Sequence, residues 1–156
     1  MRLHLLITCV VFISTLLLSS CGTSTTGDHK SSVKFDQYFV KGKELYQNNC
    51  SNCHQTNGRG LGRVYPPVDT SDYIDNHLQD VLCLLRYGKK GELLVNGKMY
   101  NQEMPAPALT DLEIAELATY LYNNWGREKG IVEVSDVSRK MVDCDSVLNF
   151  QRLFNR

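Results

Sequence analysis

Cys50-Ser51-Asn52-Cys53-His54 is the stretch of this 156-residue chain with the most definite chemistry. Two thiols three residues apart, followed at once by an imidazole, match the C-x-x-C-H pattern of covalent haem attachment. The spacing has a physical reason. Thiols so placed can reach the two vinyl groups on one edge of a porphyrin. The next residue then sets an imidazole beneath the iron, for which neutral imidazole is a strong axial donor. Two other chemistries use paired cysteines. A redox dithiol of the thioredoxin kind wants the motif beside a βαβ pattern, and the chain shows none. A zinc site wants a second pair of ligands close by, whereas Cys83 and Cys144 are distant and not paired with one another as C-x-x-C.

A sixth iron ligand has to come from elsewhere. Beyond the N-terminal apolar segment three methionines are available, Met99, Met104 and Met141. Met104 sits in Asn101-Gln102-Glu103-Met104-Pro105, with Pro107 two residues on. Prolines fix φ, so this loop can hold a weak thioether donor at small ordering cost. Met99, beside the Asn96-Gly97 turn, also reads as an adaptable gap-filler. His77 would give a bis-histidine centre, or serves as an ordinary helix-face histidine.

These residues need elements to position them. Phe35, Phe39, Gly42 and Tyr46 share one helical face just before the cysteine motif. Gly42 costs about 1 kcal/mol against Ala inside a helix, but on the buried stripe it lets another helix approach. A second helix is expected from near Ser71, with Ile74, Leu78, Val81 and Leu85 on one face and Gly88 as its stop. A third begins with the capping box Thr110-Asp111-Leu112-Glu113. Its stripe is Ile114, Leu117, Ala118, Leu121 and Trp125, ended by Gly126. No stretch alternates with period two, so the expected class is all-α, with long loops at 55–70 and 88–109. Loops of that length are usually functional or wrapped around something.

Order and motifs together resemble a class I c-type cytochrome over residues 35–126. KGKELYQNNCSNCH is similar to that family's first helix and haem box. ELATYL resembles its closing helix, with Leu117 and Tyr120 as contacts to the first. VNGKMYNQEMPAPALTDLEIAELATYLYNNWG is close to the pattern of small bacterial monohaem cytochromes, some of them lipoproteins. The resemblance implies three main helices around one haem c, attached through Cys50 and Cys53, with His54 and Met104 as axial ligands. It also implies a proline carbonyl holding the distal N–H of His54. Of the two candidates in Tyr65-Pro66-Pro67-Val68, Pro66 is favoured by spacing. With both axial positions filled, the iron has no open site for substrate. The expected function is therefore one-electron transfer between redox protein partners, with no enzymatic activity and no small-molecule substrate. Two alternatives stay open: a fixed haem subunit of a larger oxidase or reductase, and a haem-based gas sensor.

Composition narrows the partners. Lys+Arg and Asp+Glu are 17 each, which excludes a broad basic surface for nucleic acid and an acidic disordered chain. Residues 1–20, MRLHLLITCVVFISTLLLSS, read as a secretory signal, with Arg2 ahead of an apolar run short for a membrane span; an uncleaved anchor helix is the alternative. Leu18-Ser19-Ser20-Cys21 resembles a bacterial lipobox, so Cys21 is expected to become a lipidated N-terminus. Three acyl chains would anchor it firmly to a membrane. Gly22 after the cysteine favours the outer membrane of a two-membrane cell, facing the periplasm or the exterior. Residues 21–34 are expected as a flexible tether and 127–156 as an extension packed on the domain. Arg86, Lys89, Lys90 and Lys98 could face an acidic partner, or form an ordinary solvated loop.

Export puts the spare cysteines in an oxidising compartment. Cys83 lies opposite the apolar stripe of the second helix. In the tail, Ser135 can cap a short helix whose inward face carries Val137, Met141, Cys144 and Leu148. A Cys83–Cys144 disulfide clamping the tail across the second helix is expected; two unpaired thiols are the alternative.

Overall fold

A computed structural model describes residues 26–144. The signal at 1–20, Cys21 and Leu148 lie outside the described residues. The chain divides into two units, 1–31 and 32–156. Everything below concerns the second, apart from the first turns of its leading helix.

That helix, α1, spans Thr26–Asn49. Residues 26–34, expected within a flexible tether, are helical instead. Once a helix is nucleated each further residue adds a hydrogen bond, and no proline interrupts this stretch. Lys34 is also held at 2.5 Å by Glu133 of the tail. A single turn, α2 (Ser51–His54), carries the cysteine motif directly on from α1.

The second expected helix is two: α3 (Asp72–Asn76) and α4 (Leu78–Tyr87). The break has an identifiable cause. In a continuous helix the Ile74 carbonyl would accept from the Leu78 N–H. The Tyr122 hydroxyl donates to that carbonyl instead, at 2.7 Å, and His77 adopts φ −130°, ψ 55°.

The loop expected at 88–109 contains a hairpin, β1 (Leu93–Val95) against β2 (Lys98–Tyr100), antiparallel with Leu94 opposite Met99. Asn96 and Gly97 turn it, with φ of 51° and 69°, the pattern of a tight two-residue hairpin loop. Three residues per strand are too few to display an alternation. Asn96 moors the turn by accepting from the Asp72 N–H at 3.0 Å and donating to the Thr70 carbonyl at 2.6 Å.

The closing helix α5 (Asp111–Leu121) has the expected box: Thr110 accepts from the Glu113 N–H, and Glu113 accepts from the Thr110 N–H. It ends before Trp125, which sits in a turn at φ 50°. Asn123 diverts the chain by bonding the carbonyls of Thr119 and Gly130, both at 2.7 Å, a local alternative to continued helix. Trp125 still reaches the core, 5.4 Å from Tyr46 and 5.5 Å from Tyr120 between ring centroids.

α1 and α5 cross at Gly42. A Cβ there would fall inside the Glu116 carbonyl oxygen and 2.8 Å from Tyr120 Cβ. Around the crossing, Tyr46, Ile114, Leu117 and Tyr120 are buried. The tail helix α6 spans Val134–Lys140 and is capped by Glu133 rather than Ser135. Its Val137 is fully buried in the same core, and Cys144 follows a short 3-10 turn, Met141–Asp143.

Candidate haem site

Cys50 ends α1, with its N–H bonded to the Tyr46 carbonyl at 2.9 Å. His54 closes the next turn, its N–H on the Cys50 carbonyl at 2.9 Å. The motif thus follows α1 after a single turn residue, Cys50, whose backbone bonds join the two helices. Tyr46 reinforces it from below, donating its hydroxyl to the Gln55 carbonyl at 2.6 Å.

Above this turn lies an apolar cleft of about 590 Å³, opening into a second space of about 730 Å³. Cys50, His54, Pro66, Leu84, Leu93 and Met104 line both. Cys53 and Tyr65 stand at the outer part, and Val68, Ile74, Val81 and Leu121 line the inner part. α3 and α4 form one wall, the hairpin a second through Leu93 and Val95, and the 55–70 loop a third.

His54 is oriented by its Nδ1, which lies 3.0 Å from the Pro66 carbonyl oxygen. A carbonyl only accepts, so Nδ1 carries the proton and Nε2 keeps its lone pair. Burial pulls the imidazole below its ordinary pKa, against the Pro66 bond, which raises it. Neutral imidazole is the form a metal needs. Burial, with a smaller effect of Cys53, pushes the Cys50 thiol up to about 12. A redox dithiol needs a depressed thiol pKa, so this environment is unlike one. Cys50 and Cys53 are both unbonded and half-buried.

Met104 is held in the cleft lining through Lys89. Its N–H donates to the Lys89 carbonyl at 2.9 Å, and its carbonyl accepts from the Lys89 N–H at 2.8 Å. The other candidate ligands are elsewhere. Met99 is 55% exposed on the outer face of the hairpin. His77 is exposed at the α3–α4 break, with its ring on Tyr73 and facing Asp80. Met141 packs against the core beneath the tail.

Cys83 and Cys144 are joined in a disulfide with Cα atoms 5.5 Å apart. Cys83 is fully buried, as are its neighbours from Val81 to Leu85. The core covers one face of α4 and the tail covers the other.

Arg86, Lys89, Lys90 and Lys98, left open between a docking patch and a solvated loop, do not form one exposed group. Arg86 turns inward to the Leu109 carbonyl at 2.5 Å and to Asp111. Lys89 is buried, donating to the Lys90 carbonyl at 2.6 Å. Lys90 pairs with Glu103 at 3.3 Å, and Lys98 is exposed. Periodicity also gave no sign of Arg127. It is buried, paired with Asp75, and donates to the Val68 carbonyl at 2.9 Å and toward that of Ser71. It thereby ties the end of the 55–70 loop to α3. Its only sequence signal was an arginine just after a helix-ending glycine.

The donor set fits a haem: one imidazole with a free lone pair, one thioether, two thiols at the edge, and an apolar cleft between. The cytochrome c family model matches residues 39–125. The chain belongs to the cytochrome c family. This class I cytochrome therefore carries covalently attached haem c and transfers electrons. It is 31% identical over 101 residues to cytochrome c-552 of Thermus thermophilus, covering 58% of this chain and 72% of that one. Cytochrome c-552 from a named strain of the same species matches the same share of this chain at 31% identity, with 64% of that protein covered. The chain is also 26% identical over 103 residues to the cytochrome c subunit of a quinone alcohol dehydrogenase from Gluconobacter oxydans, covering 63% of this chain but 21% of the subunit. All three matches leave part of this cytochrome unaccounted for.

Proposed function

We propose that this cytochrome is a one-electron carrier whose single haem is attached through Cys50 and Cys53 and ligated by His54 and Met104. The observation that carries the reading is that His54 and Met104 line the same apolar cleft from separate supports, α2 and the segment bonded to Lys89. When bound, the haem supplies an Fe(III)/Fe(II) couple. The chain's contribution is to keep its surroundings the same in both states. The Pro66 carbonyl holds the His54 ring. The prolines after Met104 limit the motion of the thioether. Leu84, Leu93 and Val95 keep water from the inner cleft. Thioether ligation favours the reduced state relative to bis-histidine.

The test is Met104→Ala in the haem-loaded protein. The far-red sulfur-to-iron charge-transfer band should vanish, the reduction potential should fall, and carbon monoxide should bind the reduced protein rapidly. A band that survives removes Met104 as ligand. Rapid carbon monoxide binding by the unaltered protein would favour a gas sensor.

Similarity to a dehydrogenase's cytochrome subunit supports a second reading, a haem subunit fixed within a larger complex. Co-purification from detergent extracts separates the two: stoichiometric partners favour the subunit, a lone cytochrome the carrier. The lipobox-like Leu18-Ser19-Ser20-Cys21 supports export and lipid anchoring. Cys21→Ser should release the protein from membranes or block its processing. Unchanged retention with normal cleavage would point to a protein anchor.

A further inference from the structure

The strand that carries Met104 lies outside every helix and sheet. Pro105 and Pro107 donate no backbone hydrogen bonds, and most residues from 101 to 108 are exposed. Around Met104 the backbone is tied by its two bonds to Lys89. How Lys89 comes to face it is decided one residue earlier.

α4 ends at Tyr87, and the Gly88 N–H closes it on the Leu84 carbonyl at 2.9 Å. Gly88 then takes φ 70°, ψ −165°, a combination essentially restricted to glycine. This turn sends Lys89 out antiparallel to Met104. Gly88 is also a point of contact. A Cβ there would fall inside contact distance of the Met104 carbonyl oxygen, 2.7 Å from the Ala106 nitrogen and 3.0 Å from the Pro105 carbonyl carbon. The methionine strand lies directly on the bare α-carbon at the end of α4.

We propose that Gly88 is a positioning residue for the sixth ligand: it sets how closely the strand approaches α4, and so where the Met104 thioether stands over the cleft. This rests on the reading of Met104 as axial ligand. A side chain at position 88 must displace one of the two partners. α4 is the harder to move, since Val81 to Leu85 are buried, Cys83 is cross-linked to Cys144, and Arg86 is held at Leu109. The exposed strand gives way and carries the sulfur with it. Lys89 hydrogen-bonds Met104 through backbone groups, which any residue at position 89 other than proline could supply.

The experiment compares haem-loaded wild type, Met104→Ala, Gly88→Ala and Gly130→Ala. Gly130 also has positive φ, 79°, but nothing lies within 4 Å of its absent Cβ, so it serves as a positive-φ glycine without the contact. Gly88→Ala should lose most of the far-red sulfur-to-iron band and bind added imidazole in the oxidised state about ten-fold more tightly, from strain of the usual size. Gly130→Ala should match wild type in both. The proposal is overturned if Gly88→Ala keeps the band and the wild-type imidazole affinity, or if Gly130→Ala changes equally. If the wild type lacks the band, or Met104→Ala retains it, the ligand reading fails and the proposal with it. If Met104→Ala abolishes the band while Gly88→Ala leaves it intact, only the role of Gly88 falls. Should Gly88→Ala not accumulate with haem, amide exchange in the wild type decides. A protected Met104 N–H is expected, and exchange as fast as in exposed loop amides overturns the proposal.

Discussion

At the residue scale, the side chains that prepare the cleft are more numerous than those that would touch iron. Pro66 orients His54, Tyr46 braces the motif through Gln55, and Tyr122 breaks a helix by taking one carbonyl. Arg127 is the most consequential of these. It holds Val68 and Ser71 through their carbonyls and pairs with Asp75, and both Val68 and Ser71 line the cleft. Arg127→Leu keeps much of the side-chain volume but takes the donor from the Val68 carbonyl, whereas the Ser71 carbonyl keeps the Asp75 N–H at 3.1 Å. Unsatisfied buried groups cost about 1–3 kcal/mol each, and loss of the paired charge adds to this. A drop of about 2–3 kcal/mol in urea unfolding of the haem-loaded protein is expected. A midpoint within error of wild type would mean that the buried guanidinium contributes only packing.

At the element scale, the crossing of α1 and α5 sets where the cysteine motif stands, because the motif follows α1 directly, tied to it by the Cys50 N–H on the Tyr46 carbonyl. Gly42 makes the sign of one substitution informative. Alanine is the better helix former by about 1 kcal/mol, so in an isolated α1 Gly42→Ala would stabilise. At this crossing the added Cβ meets the Glu116 carbonyl and Tyr120, and overpacking of a tight contact costs about 1–3 kcal/mol. Net destabilisation of about 1–2 kcal/mol is expected, with the α1–α5 aromatic cluster disturbed in near-ultraviolet circular dichroism. A gain in stability would show that the helices separate at no cost.

At the scale of the whole molecule, the tail behaves as part of the cytochrome domain. Val137 is in the main core, Glu133 bonds Lys34, and Cys144 is cross-linked to α4. The disulfide closes a sequence separation of 61 residues. Chain entropy for a loop of that length suggests about 4 kcal/mol. The double variant Cys83→Ser, Cys144→Ser should lose about 2–4 kcal/mol of unfolding free energy. The far-red band should persist, since neither sulfur lines the cleft. Thiol labelling of the unfolded, unreduced haem-loaded wild type should leave both Cys83 and Cys144 unlabelled; label on these two would contradict the cross-link.

The cysteine motif, the capping box at Thr110, the stripes of α1 and α5 and the family itself were legible in the sequence. Each depends on residues within a few positions of one another, where spacing alone carries the geometry. What lay beyond reach was decided by groups that meet across the fold. The apolar stripe of Ile74, Leu78, Val81 and Leu85 reads as one helix, yet Tyr122, 48 residues from Ile74, splits it in two. The hairpin is too short to alternate and is positioned by Asn96 bonding to Asp72 and Thr70. Arg127 carries a charge that composition assigns to the surface, and it is buried because the backbone carbonyls it satisfies, those of Val68 and Ser71, are brought to it only by the chain's return. Met104 could be nominated from its prolines. Its place in the lining of the cleft that His54 also lines comes with the end of α4 lying flush against its strand, a contact between distant segments that no local pattern encodes.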